Sequence, residues 1–210
     1  MAKKNERTGS LTGLVGTVVL SSWRGIEYMK SRGRKSKKPR TVKQLQNQAK
    51  ISLVSKFIYS MKDLLDRSFL AYAIKKTGTN AAFSYNFKNA IGGESPNFVI
   101  QYNRVLVSRG DLPNADGVTA AFADNAELHF SWQDNSGVGQ ARPTDLCICV
   151  AYWAEDHFTQ YAIGPACRKD GAAVMNLAQF RGRTVETWLA FTSADGTENA
   201  DSIYTGKFLV

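Results

Sequence analysis

Leu146-Cys147-Ile148-Cys149-Val150-Ala151-Tyr152-Trp153 is apolar at both the odd and the even positions of a strand. Successive side chains of a strand point to opposite faces, so a run with no polar face belongs at the centre of a sheet covered on both sides. The stretch predicts a layered fold: a central strand with a core on one face and a second cover on the other.

Working outward, residues 98–108, 126–132, 145–153, 160–163, 172–177, 184–192 and 202–210 read as strands. Turn-rich pieces such as Asp134-Asn135-Ser136-Gly137 and Ser193-Ala194-Asp195-Gly196 separate them. Strands at this spacing predict an immunoglobulin-like or fibronectin-type β-sandwich over 97–210. In Glu127-Leu128-His129-Phe130-Ser131-Trp132 the apolar residues alternate, which places His129 on the polar face.

The second cover is helical. Pro39 precedes Thr41-Val42-Lys43-Gln44, a capping box with Thr41 as N-cap. Leu45, Ala49, Leu53, Phe57, Met61 and Leu65 recur every four residues, widened by Val54, Ile58 and Leu64. That pattern predicts one amphipathic helix to near residue 75, with Leu53 and Phe57 buried against the sandwich. Lys50, Lys56, Lys62, Asp63 and Arg67 form its solvated face. Gly78 reads as its end, residues 80–91 as a shorter helix with Phe83, Phe87 and Ile91 on one side, and Gly92-Gly93 as the close of the segment. The expected fold class is α+β, divided into a basic arm over 1–40, a helical segment over 41–96 and the sandwich over 97–210.

Charge is distributed unevenly. Residues 1–40 hold 11 Lys and Arg against 2 Glu, whereas the remainder holds 16 basic and 16 acidic side chains. The whole excess of +9 therefore sits in the front of the chain. Such asymmetry points to an arm that meets a polyanion, with a solvated tail as the bland alternative. Within the arm, residues 17–23 and 26–32 form a hairpin closed by a type I turn over Ser22-Trp23-Arg24-Gly25, with Gly25 at positive φ. Alternation sets Ile26, Tyr28, Lys30 and Arg32 on one face. An aromatic beside cations can stack on a base and hold phosphates. The competing arrangement packs Ile26, Tyr28 and Trp23 onto the body and leaves only the cations outside. The expected nucleic-acid contacts are Tyr28, Lys30, Arg32, Arg34, Lys35, Lys37, Lys38 and Arg40.

Other chemistry is sparse. At 43% apolar and 11% aromatic residues the composition is that of a globular chain with a real core. The uncharged run before Trp23 is too short and too glycine-rich for a membrane span or a convincing signal peptide, so a cytoplasmic or particle-associated protein is expected and secretion is not. Three cysteines exclude a complete disulfide framework. Cys147 and Cys149 share a strand face about 6.6 to 7 Å apart, a spacing that strains a bridge, and with Cys167 they read as buried reduced thiols. Their spacing to His157 matches no zinc pattern. Gly9, Gly13 and Gly16 make neither a dinucleotide nor a phosphate loop. The adjacent Asp156 and His157 fall in a turn that points them apart, and a convergence of Asp111 with Asp116 is not legible in sequence. No catalytic, cofactor or metal site is expected.

The chain also resembles an uncharacterised bacterial family built on a domain of unknown function. The resemblance rests on Gly13-Leu14-Val15-Gly16-Thr17-Val18, Ser22-Trp23-Arg24-Gly25-Ile26-Glu27-Tyr28, Arg34-Lys35-Ser36-Lys37-Lys38-Pro39-Arg40-Thr41, Ser84-Tyr85-Asn86-Phe87-Lys88-Asn89-Ala90-Ile91 and Leu106-Val107-Ser108-Arg109-Gly110-Asp111-Leu112-Pro113. Trp132-Gln133-Asp134-Asn135-Ser136-Gly137 and Ala190-Phe191-Thr192-Ser193-Ala194-Asp195-Gly196 belong to it as well. It implies one architecture and carries no activity. Two non-enzymatic readings follow: a nucleic-acid-binding protein, or an assembly subunit of a particle or filament whose partners are other copies of itself. Surface adhesion, common among fibronectin-type domains, is a lesser third.

Overall fold

The computed structural model describes residues 2–4, 11–23, 26–33, 38–123 and 125–210. The chain divides into two compact units, Met1–Thr41 and Val42–Val210. The first is a sheet of four strands in chain order, β1 (Ala2–Lys4), β2 (Leu11–Val15), β3 (Val18–Trp23) and β4 (Ile26–Ser31), each antiparallel to the next. The expected hairpin is its β3–β4 half, in register from Val18↔Ser31 to Trp23↔Ile26. Its turn at Arg24-Gly25 lies outside the described residues. Gly16, at φ 59, turns β2 into β3; a residue without Cβ takes that left-handed conformation at no steric cost.

The second unit opens with helices, and here the sequence reading needs correction. The single long helix is two, α1 (Val42–Ser60) and α2 (Lys62–Ser68), followed by a 3₁₀ turn at Leu70–Tyr72. The Ser60 hydroxyl donates to the Phe57 carbonyl at 2.7 Å, and the Met61 amide reaches only to Ile58. A serine that back-bonds to its own helix competes with the backbone ladder and bends it. The break lets Val54, Phe57, Ile58, Met61, Leu64 and Leu65 all stay buried. The stripe does not continue to the helix start. Leu45 is 52% exposed, Ala49 is exposed and Leu53 only half-buried. Gly78, expected to end a helix, opens α3 (Gly78–Asn89), with the Thr77 hydroxyl accepting from the Asn80 amide. A Cβ on Gly78 would stand 2.4 Å from the Leu65 carbonyl oxygen, so the helices cross there with no room for a side chain.

Next come β5 (Ile91–Gly92) and β6 (Val99–Ile100), a minimal ladder. The strand expected over 98–108 stops at Ile100 and gives way to a 3₁₀ turn at Tyr102–Arg104. Beyond it, side chains satisfy the backbone in place of a neighbouring strand. The Asn86 carboxamide takes both the amide and the carbonyl of Leu106, and the Ser202 hydroxyl accepts from the Val107 amide.

The remaining strands are β7 (Asp116–Ala123), β8 (Glu127–Gln133), β9 (Leu146–Trp153), β10 (Phe158–Cys167), β11 (Ala172–Asn176), β12 (Thr184–Thr192) and β13 (Ile203–Leu209). They form two antiparallel sheets, in the orders β10-β9-β12-β13 and β11-β8-β7. The chain is α+β and mostly β.

The stretch that opened the reading behaves as expected. Cys147, Cys149, Ala151 and Trp153 join Leu189 and Phe191 of β12 in a core with Leu128, Phe130, Ala173 and Met175 of the other sheet. Ile148, Val150 and Tyr152 join Trp188 and Ala190 in a second core with the helical residues Phe57, Met61 and Leu65. Helices and sheets thus share one unit. Arg168, fully buried, ties its loops together by donating to Asp145, to Asn135 and to the Pro113 carbonyl at 2.7–3.1 Å, with the Phe191 ring 4.4 Å from the guanidinium carbon. Among the described residues, no helix is long and apolar enough to cross a membrane.

Candidate polyanion interface

β4 is an edge strand of the arm sheet, and all six of its residues are exposed. Directly opposed residues of antiparallel strands share a face. The register therefore places Tyr28 with Ser21, and Lys30 with Val19 and Leu14, on one side. On that side the Lys30 ammonium lies 5.9 Å from the centre of the Tyr28 ring, at the limit of cation–π contact. The Arg32 amide donates to the Thr17 carbonyl at 2.8 Å, which extends the ladder past Ser31 and keeps Arg32 in step with Lys30. The other side of the sheet carries Leu11, Val15, Val18, Leu20 and Met29. Of these, Met29 is 75% exposed, and Leu11 and Val15 are more than half exposed.

Of the eight residues expected to touch nucleic acid, the structure brings Tyr28, Lys30 and Arg32 together on one strand and its extension, and leaves Lys38 and Arg40 exposed beyond it. Arg34, Lys35 and Lys37 lie outside the described residues. Ile26 and Tyr28 are 67% and 42% exposed. An exposed ring next to cations offers a stacking platform and a phosphate contact at once, chemistry that takes any nucleobase and reads little sequence. Sequence reasoning missed β1 and β2 and the apolar side they complete. Its available signal was the alternation on either side of Gly16-Thr17, a two-residue hairpin connection.

Elsewhere the polar groups serve the fold. The imidazole Nδ1 of His157 is 2.9 Å from the Tyr152 hydroxyl, and Tyr204 bonds Glu186 at 2.5 Å. Burial, with help from Glu186, pushes the Tyr102 hydroxyl up to about 12. Burial likewise raises Tyr152, aided by Tyr102, and Tyr204, aided by Glu186. Burial disfavours the charged phenolate, so these hydroxyls keep their protons. His129 sits on the polar face beside Glu127 at 3.5 Å. Cys147 and Cys149 are buried and free, Cys167 is free and half-buried, and no group of His, Cys, Asp and Glu among the described residues is arranged to hold a metal ion. The hydrogen bond between the two neighbouring thiols and their burial both raise Cys149.

A model of the family of unknown function DUF6266 matches residues 10–206, and the chain belongs to that family. No curated protein matches the sequence.

Proposed function

We propose that this member of the family is a non-enzymatic protein that holds a polyanion, most simply nucleic acid, through Tyr28, Lys30 and Arg32 and the basic run that ends at Arg40. The observation that carries the reading is the outward pairing of Tyr28 and Lys30 on an exposed edge strand, in the only part of the chain with excess charge. The second unit we read as a fibronectin-like sandwich with a helical layer; two antiparallel sheets, in the orders β11-β8-β7 and β10-β9-β12-β13, that share one core support that reading. Such a scaffold fixes no function by itself.

Binding of single-stranded DNA to the full chain, measured against salt, tests the proposal. Five to seven phosphate contacts give a log–log slope of roughly −4 to −6. Replacing Lys35, Lys37 and Lys38 by Gln flattens it by about 2 to 3 and weakens every sequence alike. Tyr28→Ala costs about 1 to 3 kcal/mol on single strands and leaves the slope alone. Absence of salt-dependent binding at low ionic strength ends the reading.

A second reading, an assembly subunit, draws on the exposed apolar side of the arm sheet, Leu11, Val15, Val18 and Met29, beside an open strand edge. Exposed apolar patches and open edges invite another chain. Large particles that survive nuclease and lack absorbance from nucleic acid favour it.

A further inference from the structure

Surface cavities of the second unit include ones of about 190, 280 and 380 Å³. Sites for small molecules usually begin near 300 Å³, a size that the cavity of about 380 Å³ reaches. It lies between α2 and the strands β9, β10 and β12, closed at one end by the loop after β12. Its floor is aliphatic: Leu64, Leu146, Ile148 and Ile163.

Most polar groups around this floor are already engaged. Ser68 donates to the Val107 carbonyl, Asp66 accepts from the amide and hydroxyl of Thr79, Asn199 donates to the Arg67 carbonyl, and Thr192 donates to the Glu198 carbonyl. Asp66 is held through Oδ1 alone, on the same helix as one of two further charges at the rim. The Arg67 side chain, on the helical wall, is exposed and forms no ion pair among the described residues. In the loop after β12, Asp195 receives the Ser193 hydroxyl and the amide and hydroxyl of Thr197, all on Oδ1 at 2.6–3.1 Å. Those bonds fix its carboxylate in place, hold it ionised down to about 2, and leave Oδ2 for another donor. One anchored anion and one exposed cation thus line the same aliphatic floor.

We infer that this cleft binds a small zwitterion with an apolar body, of which a free aliphatic or aromatic α-amino acid is the simplest. The side chain fills the floor between Leu64, Ile148 and Ile163. The carboxylate meets the Arg67 guanidinium, whose planar fork suits it, and the ammonium meets Oδ2 of Asp195. Neither charge of such a ligand is left unpaired near an apolar surface, which is the condition for desolvating it. All the residues that line it belong to the second unit.

Calorimetric titration of the full-length protein with L-leucine and L-phenylalanine, paired with thermal unfolding, tests the inference. Both amino acids should bind and raise the unfolding midpoint in step with their concentration. Leucinamide, without the carboxylate, and N-acetylleucine, without the ammonium, should each bind about tenfold or more weakly, the worth of one hydrogen bond to a charged group. Arg67→Gln should abolish the preference for leucine over leucinamide, and Asp195→Asn the preference over N-acetylleucine. Both side chains are on the surface, so both variants should unfold at the parent's midpoint without ligand. No binding of either amino acid at about 10 mM, a concentration that would reveal millimolar affinity, overturns the inference. Binding by both variants with the parent's preferences overturns it equally.

Discussion

Replacing Phe57, Leu53 and Leu45 by alanine, one at a time, probes three positions of one four-residue stripe that the structure sets in three environments. Phe57 is 1% exposed and meets the Tyr152 ring edge-on at 4.8 Å, with Trp188 and Tyr102 rings 6.1 and 6.2 Å away. Removing a buried phenyl group costs about 3 to 5 kcal/mol, and the edge-to-face contact, worth roughly 0.5 to 1.5, puts Phe57→Ala in the upper half of that range. Leu53 is half-buried and faces an open groove with Phe98 and His157, so truncation seals no cavity. Its loss should cost about 1 kcal/mol, well below the 2 to 5 typical of a buried leucine. Leu45, 52% exposed on a helix where Leu and Ala have nearly equal propensity, should change stability by less than about 0.5. Urea unfolding gives the three values directly. In thermal melts, 1 kcal/mol moves the midpoint of a unit this large by about 2 to 4 °C, so Phe57→Ala should fall by about 8 °C or more. If Leu45→Ala costs as much as Phe57→Ala, the stripe is buried along its whole length and the break at Met61 is wrong. A Phe57→Ala cost below about 1.5 kcal/mol would refute the helix-facing core.

Three further outcomes follow from the buried groups. Arg168→Ala leaves the Asp145 carboxylate buried without its cation, and should destabilise by about 3 to 5 kcal/mol in the same urea assay. With a thiol reagent under native conditions, half-buried Cys167 should react first, whereas Cys147 and Cys149, both fully buried, should label only on unfolding; immediate labelling of all three would contradict the packing of β9. The folded state keeps a proton on Tyr102 up to about pH 12, whereas the unfolded chain releases it near 10. The contribution of Tyr102 is therefore fully present below about pH 10 and is lost as pH rises from there toward 12, which urea midpoints across that range would follow.

How much of this was legible depended on whether backbone or side chains satisfied each segment. The run from Leu146 to Trp153 declared a doubly covered strand because both parities are apolar, β8 followed from alternation, and β12 and β13 followed from strand-like runs bounded by turns, each within a residue or two of its ends. Residues 98–108 misled for a definite reason. Their pattern of Val, Ile, Leu and Tyr is that of a strand, yet the partner of Leu106 is an Asn86 side chain, and no rule of periodicity carries a bond across that distance. β7 was missed from the other direction. Alanines at 120, 121 and 123 carry little β-propensity, and Gly117, at φ 58, adds a bulge that breaks the two-residue period before Thr119.

The arm tests the same logic from its opposite limit. Its charge was readable by counting, since a balance of +9 over forty residues needs no structure. Its second property was hidden, because alternation in a strand ordinarily means one wet and one dry face, and this sheet shows apolar side chains on both: Leu14, Val19 and Ile26 on the side of Tyr28, and Leu11, Val15 and Met29 on the other. A small sheet with exposed apolar residues gains stability when a further layer covers them. Residues such as Met29 and Val15 then stabilise it fully only when something covers them, and the salt dependence of the arm reports on the cations alone. Tyr28→Ala acts on one side and Met29→Ser on the other. If a polyanion alone occupies the arm, the first substitution weakens nucleic-acid binding by about 1 to 3 kcal/mol and the second leaves it unchanged. If another copy of the chain covers the apolar side, Met29→Ser lowers the native mass while binding to a short oligonucleotide persists. Unchanged mass together with unchanged binding in both variants would mean that neither side of the sheet is used.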